Sequence, residues 1–371
     1  MKNFSFSSKK ELEIFINDKK FKKIFVLCGQ KSFNKSGAKK ILLPLLNNKL
    51  TKYYFKISPY PEVIELKKII LSLKKFSPDL VLAIGGGSVL DYAKIANVME
   101  ITSNIDKKII NINYSIKKKF TKLAVIPTTA GSGAEVTSNA VIYINKIKYS
   151  VESELLKPDF FFIIPELVLN ATKKIKASAG FDAISQAIES LISKKSNNQS
   201  VKFAKQSLKI SFKNYLNYLK NPNFNNTSAM CLAANLSGKA ISISKTTAPH
   251  AVSYPFTSLH NISHGHAVSL TLNKFLKFNL KNYKRANCKF NLKQRYKYIF
   301  DIFGVNNISD LDKLLIKIKK EAKLENNFIK LGINLNNDYP KIISGVNILR
   351  LNNNPVDLTK EDIKSILLES I

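Results

Sequence analysis

Asp79-Leu80-Val81-Leu82-Ala83-Ile84 runs without a break into Gly85-Gly86-Gly87-Ser88 and then into Val89-Leu90-Asp91-Tyr92-Ala93-Lys94. After Asp79 the first segment is apolar on both faces, as a strand covered on both sides must be. Three glycines then leave backbone N–H groups bare, and a helix is expected to begin with Val89. Strand, glycine run and helix start together present N–H groups to a pyrophosphate at a helix N-terminus. Gly85, Gly86, Gly87 and Ser88 are therefore candidate cofactor-binding residues. A glycine-rich turn alone is common; the strand before it and the helix after it give this one weight.

Units of the same kind lie on either side. Ile24-Phe25-Val26-Leu27 reads as a buried strand entering Cys28-Gly29-Gln30-Lys31-Ser32, a turn that opens a helix. No GxGxxG is present. The turn offers Gly29 and Lys31 and no acidic residue for a ribose 2′-hydroxyl, which favours NADPH over NADH. Residues 61–75 have helical apolar spacing. Downstream, Leu123-Ala124-Val125-Ile126-Pro127 reads as a strand feeding the small-residue loop Thr128-Thr129-Ala130-Gly131-Ser132-Gly133. Residues 141–144 and 148–151 read as a hairpin turning at Asn145-Lys146, and residues 159–164 as one more strand closed by Pro165. Strands alternating with helices predict a parallel, doubly wound, Rossmann-like sheet. From Ala171 onward only amphipathic helical segments with Asn-rich breaks are expected. The predicted organisation is an α/β nucleotide-binding domain over 1–168 and an all-α domain over 169–371.

A chain of 371 residues is too long for one ordinary core. Its 45% hydrophobic content, with 10% aromatic, excludes a disordered protein. Cys28, Cys231 and Cys288 form no CxxC and no disulfide framework, which fits a reducing cytoplasm. Residues 1–10 lack an apolar leader segment, and no apolar run nears membrane-span length, so a soluble, cytoplasmic protein is expected. The net charge of +33 raises three readings: a nucleic acid, an acidic surface or an anionic substrate. The lysines are dispersed as pairs such as Lys67-Lys68, Lys74-Lys75 and Lys173-Lys174. There is no basic arm and no interleaving of aromatics with bases. Lysine, asparagine and isoleucine are residues of A/T-rich codons, so the charge reads as compositional drift with a residual bias toward a small anionic substrate; no nucleic-acid partner is expected.

The four histidines all fall between 250 and 266. Such clustering points to a metal or to proton transfer, against the plainer alternative of two core and two surface histidines. Upstream, Asp182 and Gln186 are four residues apart and Glu189 is three further on, so all three share one helical face. The plainer alternative there is a helix-start acid with a solvated polar stripe.

Three blocks taken together resemble the iron-containing (group III) alcohol dehydrogenases. They are Gly85-Gly86-Gly87-Ser88 with Asp91 and Lys94; Pro127-Thr128-Thr129-Ala130-Gly131-Ser132-Gly133-Ala134-Glu135-Val136-Thr137; and Asp182-Ala183 running to Ala187-Ile188-Glu189. The resemblance covers essentially the whole chain. It implies a nucleotide-binding N-terminal domain, a helical C-terminal domain and a catalytic metal, Fe²⁺ or Zn²⁺, in a cleft between them. The implied ligands are Asp182, His250 and His264, with Gln186 where the family has histidine; the Gln carbonyl is a weaker donor than imidazole and should lower metal affinity. The implied cofactor contacts, for NADPH or NADH, extend to Asp91, Lys94, Thr128, Thr129, Ser132 and Lys148. The segments 245–255, 264–267 and 347–355 resemble the phosphonoacetaldehyde-reducing branch. That implies reduction of an anionic aldehyde by hydride transfer, with His266 or Tyr254 returning the proton and Lys239, Lys245 and Arg350 as substrate partners. A homodimer or larger homo-oligomer is expected. The alternatives are a generic short-chain or sugar-derived alcohol dehydrogenase, a dehydroquinate synthase-like lyase, against which Asp182 argues because those enzymes carry Glu there, and a non-catalytic basic binding protein.

Overall fold

The structure, a computed structural model, describes residues 9–18 and 20–369. Residues 1–8, where no leader segment is expected, lie outside the described residues. The described chain forms two compact units. One comprises the residues up to Asn145 with Tyr149–Thr172 and Asn223–Cys231, and the other comprises Lys146–Lys148, Lys173–Pro222 and the chain from Leu232 onward. The main division thus falls at Thr172/Lys173, with two short segments joining the opposite unit.

The first unit is built on strands β1 (Lys23–Gly29), β2 (Leu50–Lys56), β3 (Leu80–Gly85), β4 (Lys122–Pro127) and, after the hairpin β5 (Asn139–Ile144) and β6 (Ile147–Glu152), β7 (Phe160–Phe161). The main sheet is parallel, in the order β2-β1-β3-β4-β7. Alternation along each strand sends side chains to two separate cores. Phe25, Leu27, Val81, Ala83, Leu123 and Val125 pack on one face with the helices Val63–Phe76 and Gly87–Ala96. Ile24, Val26, Leu80, Leu82, Ile84 and Ile126 pack on the other with the helices Ala38–Leu46 and Pro165–Leu169. Burial on both faces explains why these strands read as continuous apolar runs. Each fully buried Val, Leu or Ile contributes about 1.5–3 kcal/mol.

The strand order reverses between β1 and β3. In open α/β sheets ligands bind beyond the carboxyl ends of the strands at such a reversal. Gly29 ends β1 and Gly85 ends β3, so the two glycine turns read in the sequence flank that point. The hairpin turns at Asn145 and Lys146, both at positive φ. Two details differ from expectation. The helix after the glycines starts at Gly87, not Val89. The predicted strand 159–164 shortens to Phe160–Phe161; Phe162 N–H still donates to the Val125 carbonyl at 2.9 Å, and Phe162, Ile163 and Ile164 are buried beyond the strand's end.

The second unit is helical. Its long helices are Lys173–Ile192, Asn198–Lys220, the greater part of Phe224–Ser244, Ala248–His260, His264–Lys281, Leu292–Phe303 and Ile308–Glu321. No strand follows β7 among the described residues, as the change of periodicity predicts. Also among the described residues, no helix is long and apolar enough to cross a membrane, and the three cysteines are free.

Candidate functional site

In the sheet unit the glycine turn and the loop after β4 meet. Thr128 N–H donates to the Gly85 carbonyl at 3.0 Å. A Cβ on Gly87 would stand 2.7 Å from Ser132 Oγ, so a side chain there would make Ser132 give way. Thr129 lies at ordinary contact distance from Gly86, 3.4 Å from where a Cβ would stand. Gly85, Gly86, Gly87, Ser88, Thr128, Thr129 and Ser132 therefore form one hydroxyl-lined turn at the start of the ten-residue helix Gly87–Ala96, where N–H groups lack intrahelical acceptors.

Asp91 and Lys94, expected to touch the cofactor, do something else. The Lys94 ammonium is fully buried and donates to Ala134 O at 3.1 Å, Thr137 Oγ1 at 2.7 Å and Asn139 O at 2.6 Å. Asp91 Oδ2 accepts from Val141 N–H at 3.3 Å. Both residues lie one to two turns into the helix, on the side facing residues 134–141. They brace that segment rather than reach a ligand at the helix start.

In the helical unit, Asp182 and His250 are buried and His264 is half-buried, and one donor atom from each lies within 4.8 Å of the others. His250 Nε2 is 3.2 Å and His264 Nε2 3.9 Å from Asp182 Oδ1. Zn²⁺ sits about 2.0–2.2 Å from N and O ligands, so donors spaced this way fit a single divalent ion. His264 Nδ1 is buried without a hydrogen-bond partner. Main-chain contact sets the spacing. Gly265 lies so close to the Asp182 helix that a Cβ there would fall 1.9 Å from the Ser178 carbonyl and 2.8 Å from Asp182 Cβ.

Around the three donors a buried set holds them in place. Glu189 pairs with His250 Nδ1, and its Oε1 also accepts from Thr247 N–H (3.0 Å), Thr247 Oγ1 (2.8 Å) and His250 N–H (3.3 Å). A carboxylate on Nδ1 fixes the tautomer that leaves Nε2 free to ligate. Burial would lower the His250 pKa, but Glu189 and Asp182 carry it up to about 9. His264 is held well below the ordinary imidazole value by burial and by the Lys148 ammonium, so its lone pair stays available. Burial disfavours ionised Asp182, and the neighbouring imidazoles with Lys148 reverse that and lower its pKa.

Gln186 stands beside this group with its amide turned the other way from a ligand. Its Nε2 donates to Asp182 Oδ2 at 3.2 Å, and its carbonyl oxygen, the atom able to hold an ion, accepts from Ser237 Oγ at 2.9 Å. The Gln186 amide thus spans Asp182 and Ser237, whose hydroxyl also lies 2.9 Å from the Ala234 carbonyl. Gln186→His is expected to add an imidazole donor and tighten divalent-metal binding by about 10-fold. Competition against a chromogenic chelator reads this directly, and an unchanged affinity would confine position 186 to bracing.

Three of the remaining predicted residues gather at the metal group. The Lys148 ammonium lies 3.6 Å from the centroid of the Tyr254 ring, which is 5.7 Å from the His264 ring. Arg350 is buried and acts electrostatically on Tyr254, whose hydroxyl also bonds Thr246. Burial pushes the Tyr254 pKa up to about 12, so it keeps its proton at neutral pH. Lys148, expected at the cofactor, is thus beside the metal donors.

His266 is not in this group. It follows His264 by two residues, and positions i and i+2 point to different sides of a helix; its Nε2 bonds the Glu325 carbonyl at 2.8 Å. The Lys239 ammonium lies 6.0 Å from the Phe203 ring centroid. Lys245 is a half-buried residue at positive φ just after the helix Phe224–Ser244. Sequence reasoning missed the work of Glu189, Ser237 and Thr247. Only Glu189 left a signal, its place on the Asp182 face.

A doubly wound sheet unit with a glycine turn, followed by a helical unit with an Asp–His–His group, defines a protein equipped for a nucleotide and a divalent metal. Residues 4–165 match the iron-containing alcohol dehydrogenase family and residues 176–371 match the C-terminal region of the same family, so the chain belongs to it. It is 27% identical over 250 residues to an aldehyde-alcohol dehydrogenase of Streptococcus pneumoniae, covering 64% of this chain but 28% of that protein's length. It is 28% identical over 217 residues to a phosphonoacetaldehyde reductase of Streptomyces viridochromogenes, covering 56% of this chain and 55% of the relative. The sulfoacetaldehyde reductase of Bifidobacterium kashiwanohense, solved in complex with NAD⁺, superposes with a TM-score of 0.85 at 25% identity, covering 98% of this chain and 95% of that one.

Proposed function

We propose that the chain reduces a small anionic aldehyde to its primary alcohol with NAD(P)H, with phosphonoacetaldehyde as the first candidate. The observation that carries this reading is the pair of buried cations near the metal donors: Lys148 over the Tyr254 ring, and Arg350 acting electrostatically on the same tyrosine. The Streptomyces relative and the Bifidobacterium neighbour are both named for two-carbon aldehydes that bear an acidic group.

When bound, a divalent ion supplies Lewis acidity toward a carbonyl oxygen and a reduced nicotinamide supplies hydride. Asp182, His250 and His264 hold the ion. Glu189 keeps His250 in the ligating tautomer, and Gln186 steadies the second oxygen of Asp182. Lys148 and Arg350 attract the anionic end of the substrate and so orient its aldehyde. Tyr254, protonated at neutral pH, holds a proton at its hydroxyl beside the same group. The glycine turn and its threonines offer N–H and O–H donors to the cofactor's phosphates. The absence of an acid near Gly29 and Lys31 favours NADPH.

Purified, metal-loaded protein with NADPH should turn over phosphonoacetaldehyde with a kcat/KM at least about 10-fold above that for propanal. That gap is the size one charge-assisted contact supplies. Equal values for the two would leave a generic short-chain aldehyde reductase.

A further inference from the structure

Two of the four histidines serve the metal group. The other two, His260 and His266, line a second cavity of about 590 Å³ within the helical unit. Lys173, Lys174, Lys323 and Lys330 line it as well; no Asp, Glu or Arg does, and the rest of the wall is apolar or uncharged. Two helices begin at this wall, at Lys173 and at His264, and two end there, at His260 and at Glu321, so their dipoles offset and the charge of the wall is that of its lysines. Two acids approach from outside the lining. Asp338 Oδ2 lies 3.7 Å from His260 Nε2, and Glu325, whose Oε1 accepts from the N–H groups of Asn326 and Asn327, acts electrostatically on His266 and Lys330 of the lining. His260 Nε2 is buried and makes no hydrogen bond, and Asp338 is the acid nearest to it.

From this lining we infer a second ligand site, one that takes a phosphate- or diphosphate-bearing small molecule. Four ammonium groups with no guanidinium suit a compact, multiply charged anion better than a planar carboxylate. The volume falls in the range of small-molecule pockets, about 300–1,000 Å³, and exceeds what a bare phosphate fills. The +33 charge alone does not produce this lining, because it scatters lysines without gathering histidines or removing carboxylates. The inference stands apart from the reductase reading and survives if the substrate proves different.

The small histidine count makes the test local. Protein labelled with ¹³C and ¹⁵N at histidine gives four imidazole signals, assigned with His260→Asn and His266→Asn. Inorganic pyrophosphate, titrated at constant ionic strength, should shift the His260 and His266 signals saturably and leave those of His250 and His264 in place. The double variant K174E/K323E should raise the apparent Kd at least about 10-fold. A double variant of the same charge change at exposed sites elsewhere, K281E/K317E, should not; melting curves check that both variants fold. Shifts confined to His250 and His264, no saturable shift, or equal weakening in the two double variants would overturn the site.

Discussion

Asp182→Ala should strip the protein of its divalent ion and take the proposed reductase activity with it. Asp182 is the one anion among the three donors, and both imidazoles are placed against its Oδ1, His250 Nε2 at 3.2 Å and His264 Nε2 at 3.9 Å. Without the carboxylate, the two imidazoles remain beside the Lys148 ammonium with no anion among the donors, a setting that repels a cation. Gln186 would also lose the acceptor its amide now uses. Removing a residue that merely orients a ligand costs about 10–100-fold in metal affinity, so losing a ligand should cost more than 100-fold. Metal analysis after gel filtration, with melting curves to confirm folding, gives the answer. A variant that retains stoichiometric metal would place the ion elsewhere and remove the basis of the proposed reaction.

Glu189→Gln is the second large effect, and it acts through one hydrogen atom. The Glu189 carboxylate accepts at both oxygens, from Thr247 and the His250 backbone on one side and from His250 Nδ1 on the other. A glutamine can accept at only one of these places. With its carbonyl kept on Thr247, its NH₂ meets His250 Nδ1 and turns that nitrogen from donor to acceptor. The ring proton then moves to Nε2, the atom that must be bare to ligate. Metal affinity should fall about 10–100-fold with the fold intact, while Glu189→Asp, which keeps two acceptors, should fall less. Equal affinity for wild type and Glu189→Gln would show that Glu189 only fills space.

The legible parts of the sequence were those in which one residue type answers one physical need. The glycine run after β3 could be read because bare N–H groups and close loop contact both demand glycine. The change from alternating strands to helices near residue 170 followed from periodicity. Asp182, His250 and His264 came from the family resemblance, since sixty-eight residues separate the first pair and no local pattern joins them. Charged side chains were misread where reach decides the role. Lys94 and Lys148 both looked like cofactor contacts; Lys94 is a buried brace and Lys148 stands beside Tyr254. His266 was drawn into the catalytic set by nearness in sequence to His264, which helical geometry undoes. Gln186 matched a ligand position, but the direction of an amide depends on a serine fifty-one residues away.

The missing side chain at position 265 has a mechanical meaning. The helix that opens with His264 rests its backbone on the carbonyl of Ser178, one turn before Asp182, with no deformable group in between. The gap between two of the three donors is therefore set by a rigid spacer, insensitive to repacking of the surrounding core. Substitutions in that core can soften the protein as a whole while the ion's seat keeps its dimensions, whereas a single methyl group at the spacer would be felt by the ion first.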